Sequence, residues 1–262
     1  MKLKLALLML IALLFNLSCK KYVYESSAGP CPPITYLAKV SGTNSSNGNG
    51  SIRSVNMNFI YDNYNHLIGI KDGLKSLELS YNDWLVRKLI YLDSTTTVPN
   101  RKVITLRGMS NFLPIVDIDS LFQGNKFISE TQVAYSYTNG FATEIKRTSS
   151  NNATVIEKYT YQSGNIATYD NGKGAIYNYK YDRKQNPFAF KYLQFRMGDI
   201  DFTSVNSVIE VEVKENGVSK VSRSIYTYNS EGYPLTMKTT DSQGEVIIDY
   251  KFEYGLYRPG CY

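Results

Sequence analysis

A single histidine, His66, limits this 262-residue chain to one place where a serine–histidine–aspartate relay could be assembled. It falls in YDNYNHLIGI (61–70), between two apolar runs, where an exposed polar turn residue is the simpler reading. Two Asp-x-Asp pairs, Asp117 with Asp119 and Asp199 with Asp201, would each point two carboxylates to one side of an extended chain. That arrangement suits a calcium site or a pair of acid–base carboxylates. Both pairs lie where the surrounding pattern is interrupted, and turn chemistry already accounts for aspartate there. There is no glycine-rich phosphate loop and no histidine or cysteine spacing for a metal. The residues thus nominate no catalytic set, metal or cofactor. The expectation is a non-enzymatic protein, with a secreted hydrolase working through carboxylates as the alternative.

The tyrosines carry the remaining chemical signal: 23 Tyr against 11 Phe and one Trp. A sheet face built from tyrosine buries ring area while each hydroxyl still needs a partner or water. The rings can be the ordinary apolar face of a curved sheet, with hydroxyls reaching its rim. They can also line an open groove, where flat rings stack and hydroxyls orient a glycan or peptide. Trp84, Tyr137, Tyr161 and Tyr181 are the candidates for that second role.

The elements that position these rings are clearest in residues 224–254. A strand ending in Tyr226 and Tyr228 runs into an Asn-Ser-Glu-Gly turn, returns through Tyr233–Met237, turns again at Asp241–Gly244 and leaves as EVIIDYKFEY. In that last run Val246, Ile248, Tyr250, Phe252 and Tyr254 share one face and Glu245, Asp249, Lys251 and Glu253 the other, the period-two pattern of a half-buried strand. The same unit recurs around Tyr61 and Tyr81, then in VAYSYTNGFATEI (133–145), EKYTYQSGNIATY (157–169) and AIYNYKYDRKQNPF (175–188). Self-similarity at such a period marks a repeat architecture, and turns this short demand antiparallel neighbours. The expected fold is all-β: an antiparallel meander of repeated hairpins, about fifteen short strands, in a strongly curved or barrel-like sheet with few or no helices. Residues 107–127 read as an insertion, with a helical turn near Asp119–Phe122.

Residues 1–18 hold two lysines, an apolar run and then Ser18 before Cys19, which resembles a bacterial lipoprotein signal. The resemblance implies cleavage and acylation at Cys19, a tether over 19–33, a single β domain over 34–262 and attachment to a lipid bilayer without spanning it. Tyr-x-Tyr followed by a polar turn, with Tyr61-Asp62 and Tyr181-Asp182, resembles the tyrosine–aspartate hairpin repeats of Rhs-type proteins. Together with the signal, and with YKYDRKQNPFAF (179–190) ahead of DFTSVNSVIEV (201–211), the chain is similar to uncharacterised Bacteroidota lipoproteins with a porin-like sheet. That resemblance implies a fold and a cell-envelope location as an outer-membrane lipoprotein. It brings no activity. Lys20 and Lys21 stand where a surface-exported member would carry acidic residues, so a periplasmic face is as consistent as the cell surface.

A membrane-spanning barrel is a further alternative, because lipid-facing and lumen-facing residues also alternate. Strands of about seven or eight residues fall short of the roughly nine to eleven needed to cross a bilayer. Formal charge is +6, but the basic residues are scattered singly along the strands and form no stripe, which excludes a nucleic-acid partner. No residue pattern specifies an oligomeric state. With Cys19 acylated, Cys31 and Cys261 remain as an even pair flanking the first and last strands. A closing meander would bring them together, and a disulfide there would stabilise the fold by about 5 kcal/mol.

Overall fold

The computed structural model describes residues 34–45, 52–82, 85–110, 113–189 and 204–257, and every regular element among them is a β-strand. Cys19, Cys31, Cys261, Trp84 and the Asp199/Asp201 pair lie outside the described residues. The first eight strands are β1 (Ile34–Ser45), β2 (Ile52–Tyr61), β3 (Leu67–Asp72), β4 (Lys75–Asn82), β5 (Leu85–Asp93), β6 (Asn100–Ser110), β7 (Leu113–Gln123) and β8 (Lys126–Thr138). The remainder are β9 (Phe141–Ser149), β10 (Thr154–Gln162), β11 (Asn165–Asp170), β12 (Ala175–Gln185), β13 (Asn206–Glu215), β14 (Val218–Tyr228), β15 (Pro234–Thr240) and β16 (Val246–Tyr257).

Each strand pairs with its sequence neighbour, and β1 closes on β16 to make an antiparallel barrel. The short turns dictate this order. At Asn139-Gly140 and Asn216-Gly217 both residues take positive φ, the two-residue turn whose twist matches a hairpin. At the closing seam a Cβ on Gly42 would stand 1.8 Å from the Asp249 carbonyl oxygen, so only glycine lets β1 approach β16 this closely. The all-β meander read from the sequence is therefore the fold, with sixteen strands in place of about fifteen.

Alternation sorts the side chains into two rows. With no helix covering the outside among the described residues, the buried row is the inner one. Val40, Phe59, Leu77, Leu89, Met237 and Phe252 belong to one inner apolar cluster, fed by β15, β16 and β1 to β6. Val133, Tyr135, Ile145, Tyr159 and Ile166 form a second, from β8 to β11. Ile145 and Ile166 have no exposed surface, so no open channel runs past them, and burial of each such side chain stabilises the fold by about 1.5–3 kcal/mol. The outer row is mixed: Lys71, Glu78, Lys88, Glu130, Lys158 and Lys251 are exposed, as are Ile156, Ile176 and Ile225, and Lys180 and Arg223 flank Glu210 at 2.7 and 2.9 Å.

The repeated tyrosine has a mechanical explanation. The hydroxyls of Tyr61, Tyr81, Tyr137, Tyr161 and Tyr254, each near the end of an even-numbered strand, donate to the carbonyls of Leu37, Leu67, Pro114, Ala142 and Pro234, each near the start of the strand before it. Tyr226 does the same to Val208 at 3.1 Å. The bonds are 2.6–2.9 Å long for the first five and encircle one mouth of the barrel. A register shift accompanies four of these rings, at Ile60/Tyr61, Ser80/Tyr81, Ser136/Tyr137 and Thr160/Tyr161. The bulge turns the ring toward the neighbouring strand end. β6 ends without a tyrosine, which is why 107–127 reads as an interruption.

Several expectations are corrected. Asp119–Phe122 is extended, inside β7, because its backbone pairs with β6 on one side and β8 on the other. Strands run from 6 to 13 residues, so many are long enough to cross a bilayer and length does not decide the membrane question. Lys75, Lys102 and Arg147, expected on solvated faces, point inward and are paired there.

Candidate functional site

The Asp117/Asp119 pair sits on the inner face of β7 rather than in a loop, in register with Leu106 and Ile104 of β6. Asp119 lies 2.9 Å from Lys102 and 3.9 Å from Arg147, and Arg147 makes a two-toothed contact with Glu157 at 2.8 and 3.3 Å. Asp117 is fully buried and accepts from the Tyr135 hydroxyl at 2.8 Å; Glu157 accepts from Tyr159 at 3.0 Å. Burial alone would lower the affinity of Arg147 for its proton, but Glu157 and Asp119 outweigh it and hold the guanidinium charged. Burial, with Glu157 nearby, pushes the Tyr169 hydroxyl up to about 12 and the Tyr159 hydroxyl further still. Asp119 and Glu157 are thus each matched by a cation inside the wall. Such a network ties strands together; it offers no uncommitted acid–base pair to a substrate.

His66 is also placed differently from expectation. It is not an exposed turn residue: its side chain is 18 % exposed, its Nδ1 lies 3.0 Å from Asp62 Oδ2, and its ring stacks on Tyr81 with centroids 5.3 Å apart. Asp62 Oδ1 takes the backbone N–H groups of Tyr64 and His66, both at 2.8 Å, and locks the β2–β3 turn. Burial would raise the Asp62 carboxyl, but these bonds prevail and keep it below the usual carboxylate range. Held by Asp62 and stacked on Tyr81, the His66 ring braces the turn.

That turn forms one wall of a cavity of about 270 Å³ at the mouth ringed by tyrosine–carbonyl bonds. The start of β1 contributes Tyr36, the end of β2 Tyr61, the turn Asn65 and His66, the end of β12 Gln185, the segment after it Asn186, and the β14–β15 turn and β16 Tyr233 and Tyr254. The rings pair as Tyr36 with Tyr61 at 4.6 Å and Tyr233 with Tyr254 at 5.3 Å. Tyr61 and Tyr254 commit their hydroxyls to backbone carbonyls. Those of Tyr36 and Tyr233 have no hydrogen-bond partner among the described residues. A Cβ on Gly255 would lie 2.4 Å from the Tyr36 ring, so this glycine makes room for it. Among the described residues no Asp, Glu, Lys or Arg lines the cavity.

A second cavity, about 600 Å³, opens where β11 and β12 part after only three paired positions, Thr168↔Asn178 to Asp170↔Ile176. Several of its polar groups are already engaged. Asn165 and Asn206 exchange two 2.9 Å hydrogen bonds, Lys180 pairs with Glu210, and Tyr181 meets Ser204 at 2.8 Å. The mouth cavity differs in holding the uncommitted hydroxyls of Tyr36 and Tyr233.

Of the sequence-nominated tyrosines, Tyr181 lines the second cavity, while Tyr137 and Tyr161 line neither and hold the mouth ring together. Tyr36 and Tyr233 were missed. Their signal is position: each stands at the start of a strand, whereas the bracing tyrosines stand at the ends.

No protein-family model and no curated protein matches the chain. Among solved structures it is similar to a porin-like protein from Bacteroides vulgatus ATCC 8482, with TM-score 0.53 and 11 % identity over 85 % of this chain and 99 % of that one. It is similar as well to a porin-like protein from Bacteroides uniformis ATCC 8492, with TM-score 0.53 and 9 % identity over 84 % and 97 % of the two chains. At such identities the likeness establishes the fold: a closed, porin-like β-barrel.

Proposed function

We propose that this protein is a non-catalytic binding module of the cell envelope, tethered to the outer membrane by an acyl group on Cys19, with its ligand, a glycan or a peptide, seated in the tyrosine-lined mouth of the barrel. The observation that carries the reading is the contrast between two polar sets. The inward carboxylates Asp119 and Glu157 are neutralised by Lys102 and Arg147, while the hydroxyls of Tyr36 and Tyr233 stand uncommitted in a cavity. Enzymes leave titratable groups poised toward a substrate; binding sites leave neutral donors and acceptors beside flat apolar surface. The likeness to porin-like proteins supports an envelope location. Detergent-solubilised full-length protein applied to a glycan array and a peptide array is expected to be retained on one of them. Retention on neither, with the barrel folded, removes the binding reading and leaves a structural role.

A further inference from the structure

We propose that the mouth cavity takes one ring of a neutral sugar, as the end or a side unit of a glycan; this deepens, and rests on, the binding-module reading above. Size comes first. At about 270 Å³ the cavity lies below the roughly 300–1,000 Å³ of sites for drug-sized ligands, which suits one ring and excludes a folded segment. Chemistry comes second. A pyranose presents C–H faces edged by hydroxyls, and the cavity presents tyrosine faces edged by the Tyr36 and Tyr233 hydroxyls and the Gln185 amide. The partner rings Tyr61 and Tyr254 are fixed by their own bonds to Leu37 and Pro234, so the stacking surface is organised before a ligand arrives.

Neutrality is the third consideration. Among the described residues His66 is the one titratable side chain in the lining other than tyrosine, and it is engaged by Asp62, which does not line the cavity. A carboxylate or ammonium entering here would lose water without meeting a counter-charge, which disfavours uronic acids and peptide termini. Each sugar hydroxyl can be matched by a neutral donor or acceptor.

The test uses full-length protein in detergent micelles and saturation-transfer NMR titrations with four probes: methyl β-D-glucopyranoside, methyl β-D-galactopyranoside, the methyl glycoside of glucuronic acid, and N-acetylalanine N-methylamide. At least one neutral glycoside is expected to bind, and the glucuronide at least about tenfold more weakly. Tyr36→Phe and Tyr233→Phe should each weaken that binding by about two- to tenfold, the loss of one hydrogen bond. Their thermal midpoints should stay unchanged, because neither hydroxyl has a partner among the described residues. Equal binding of the glucuronide, or sugar binding indifferent to both variants, overturns the proposal. Tyr233-dependent binding of the diamide alone overturns it too while leaving the binding module intact. If no probe binds but an array retains the protein, only the sugar assignment fails; if neither does, both readings fail.

Discussion

One residue type does two jobs here, and the hydroxyl tells them apart. Tyr137 and Tyr161 donate to the carbonyls of Pro114 and Ala142, so each ring both fills the inner face and clamps two strand ends. Burial, reinforced by nearby Tyr137 and Tyr181, pushes the Tyr161 hydroxyl well above the ordinary phenol range, so it remains a donor at any physiological pH. Tyr161→Phe keeps the ring and removes the bond. We expect it to destabilise the fold by about 0.5–1.5 kcal/mol, read as a lower urea midpoint at unchanged slope. A midpoint equal to that of the native protein would mean the Ala142 carbonyl finds water instead. The sequence displays the tyrosines and their spacing, because each repeat needs one clamp. It conceals which hydroxyls are spent, because the accepting carbonyl lies on another strand about twenty residues away.

At the scale of elements, the period-two rows were legible wherever one face is wholly apolar, as in Leu77, Leu79 and Tyr81 of β4. They were misleading where charge points inward, since an ion pair across strands depends on register and not on local pattern. Arg53 with Asp72, and Lys75 with Asp93 at 3.0 Å, link β2 to β3 and β4 to β5 on the inner face, at the end away from the tyrosine mouth. Asp93 also accepts from the Thr95 hydroxyl at 2.6 Å and the Thr95 N–H at 3.0 Å, so it ends β5 and organises the turn that follows. Those Thr95 bonds, with Lys75 next, hold its carboxyl down at about 2. A carboxyl depressed in the folded state stabilises above its unfolded value of about 3.9, and that contribution is lost as pH falls through the folded value. Asp93→Asn is therefore expected to melt below the native protein at pH 5 and to converge with it as pH drops from about 4 to about 2. A gap in melting temperature that stays constant across this range would remove Asp93 from the acid response.

For the whole molecule, the side of the wall that carries charge decides what the barrel can do. A membrane barrel turns an apolar band outward and keeps polar residues in its lumen. This one carries charge on both sides: it turns Lys71, Lys88, Lys158 and Lys251 outward among exposed Ile156, Ile176 and Ile225, and holds Val40, Ile145 and Ile166 inside alongside the paired Lys102, Asp119, Arg147 and Glu157. On a lipid-facing surface each lysine or arginine near the midplane would cost about 2–4 kcal/mol, so four of them would offset most of the stability of a typical domain. Strands up to 13 residues long could reach across a bilayer, so it is polarity that opposes insertion. Added to planar bilayers, the protein should give no stepwise conductance. Cys19→Ser protein should leave the membrane fraction on an alkaline carbonate wash, whereas the native protein should stay and partition into detergent. Conductance steps, or a Cys19→Ser protein that still resists the wash, would require the outer lysines to be covered by something other than water and would return the chain to the membrane-spanning class.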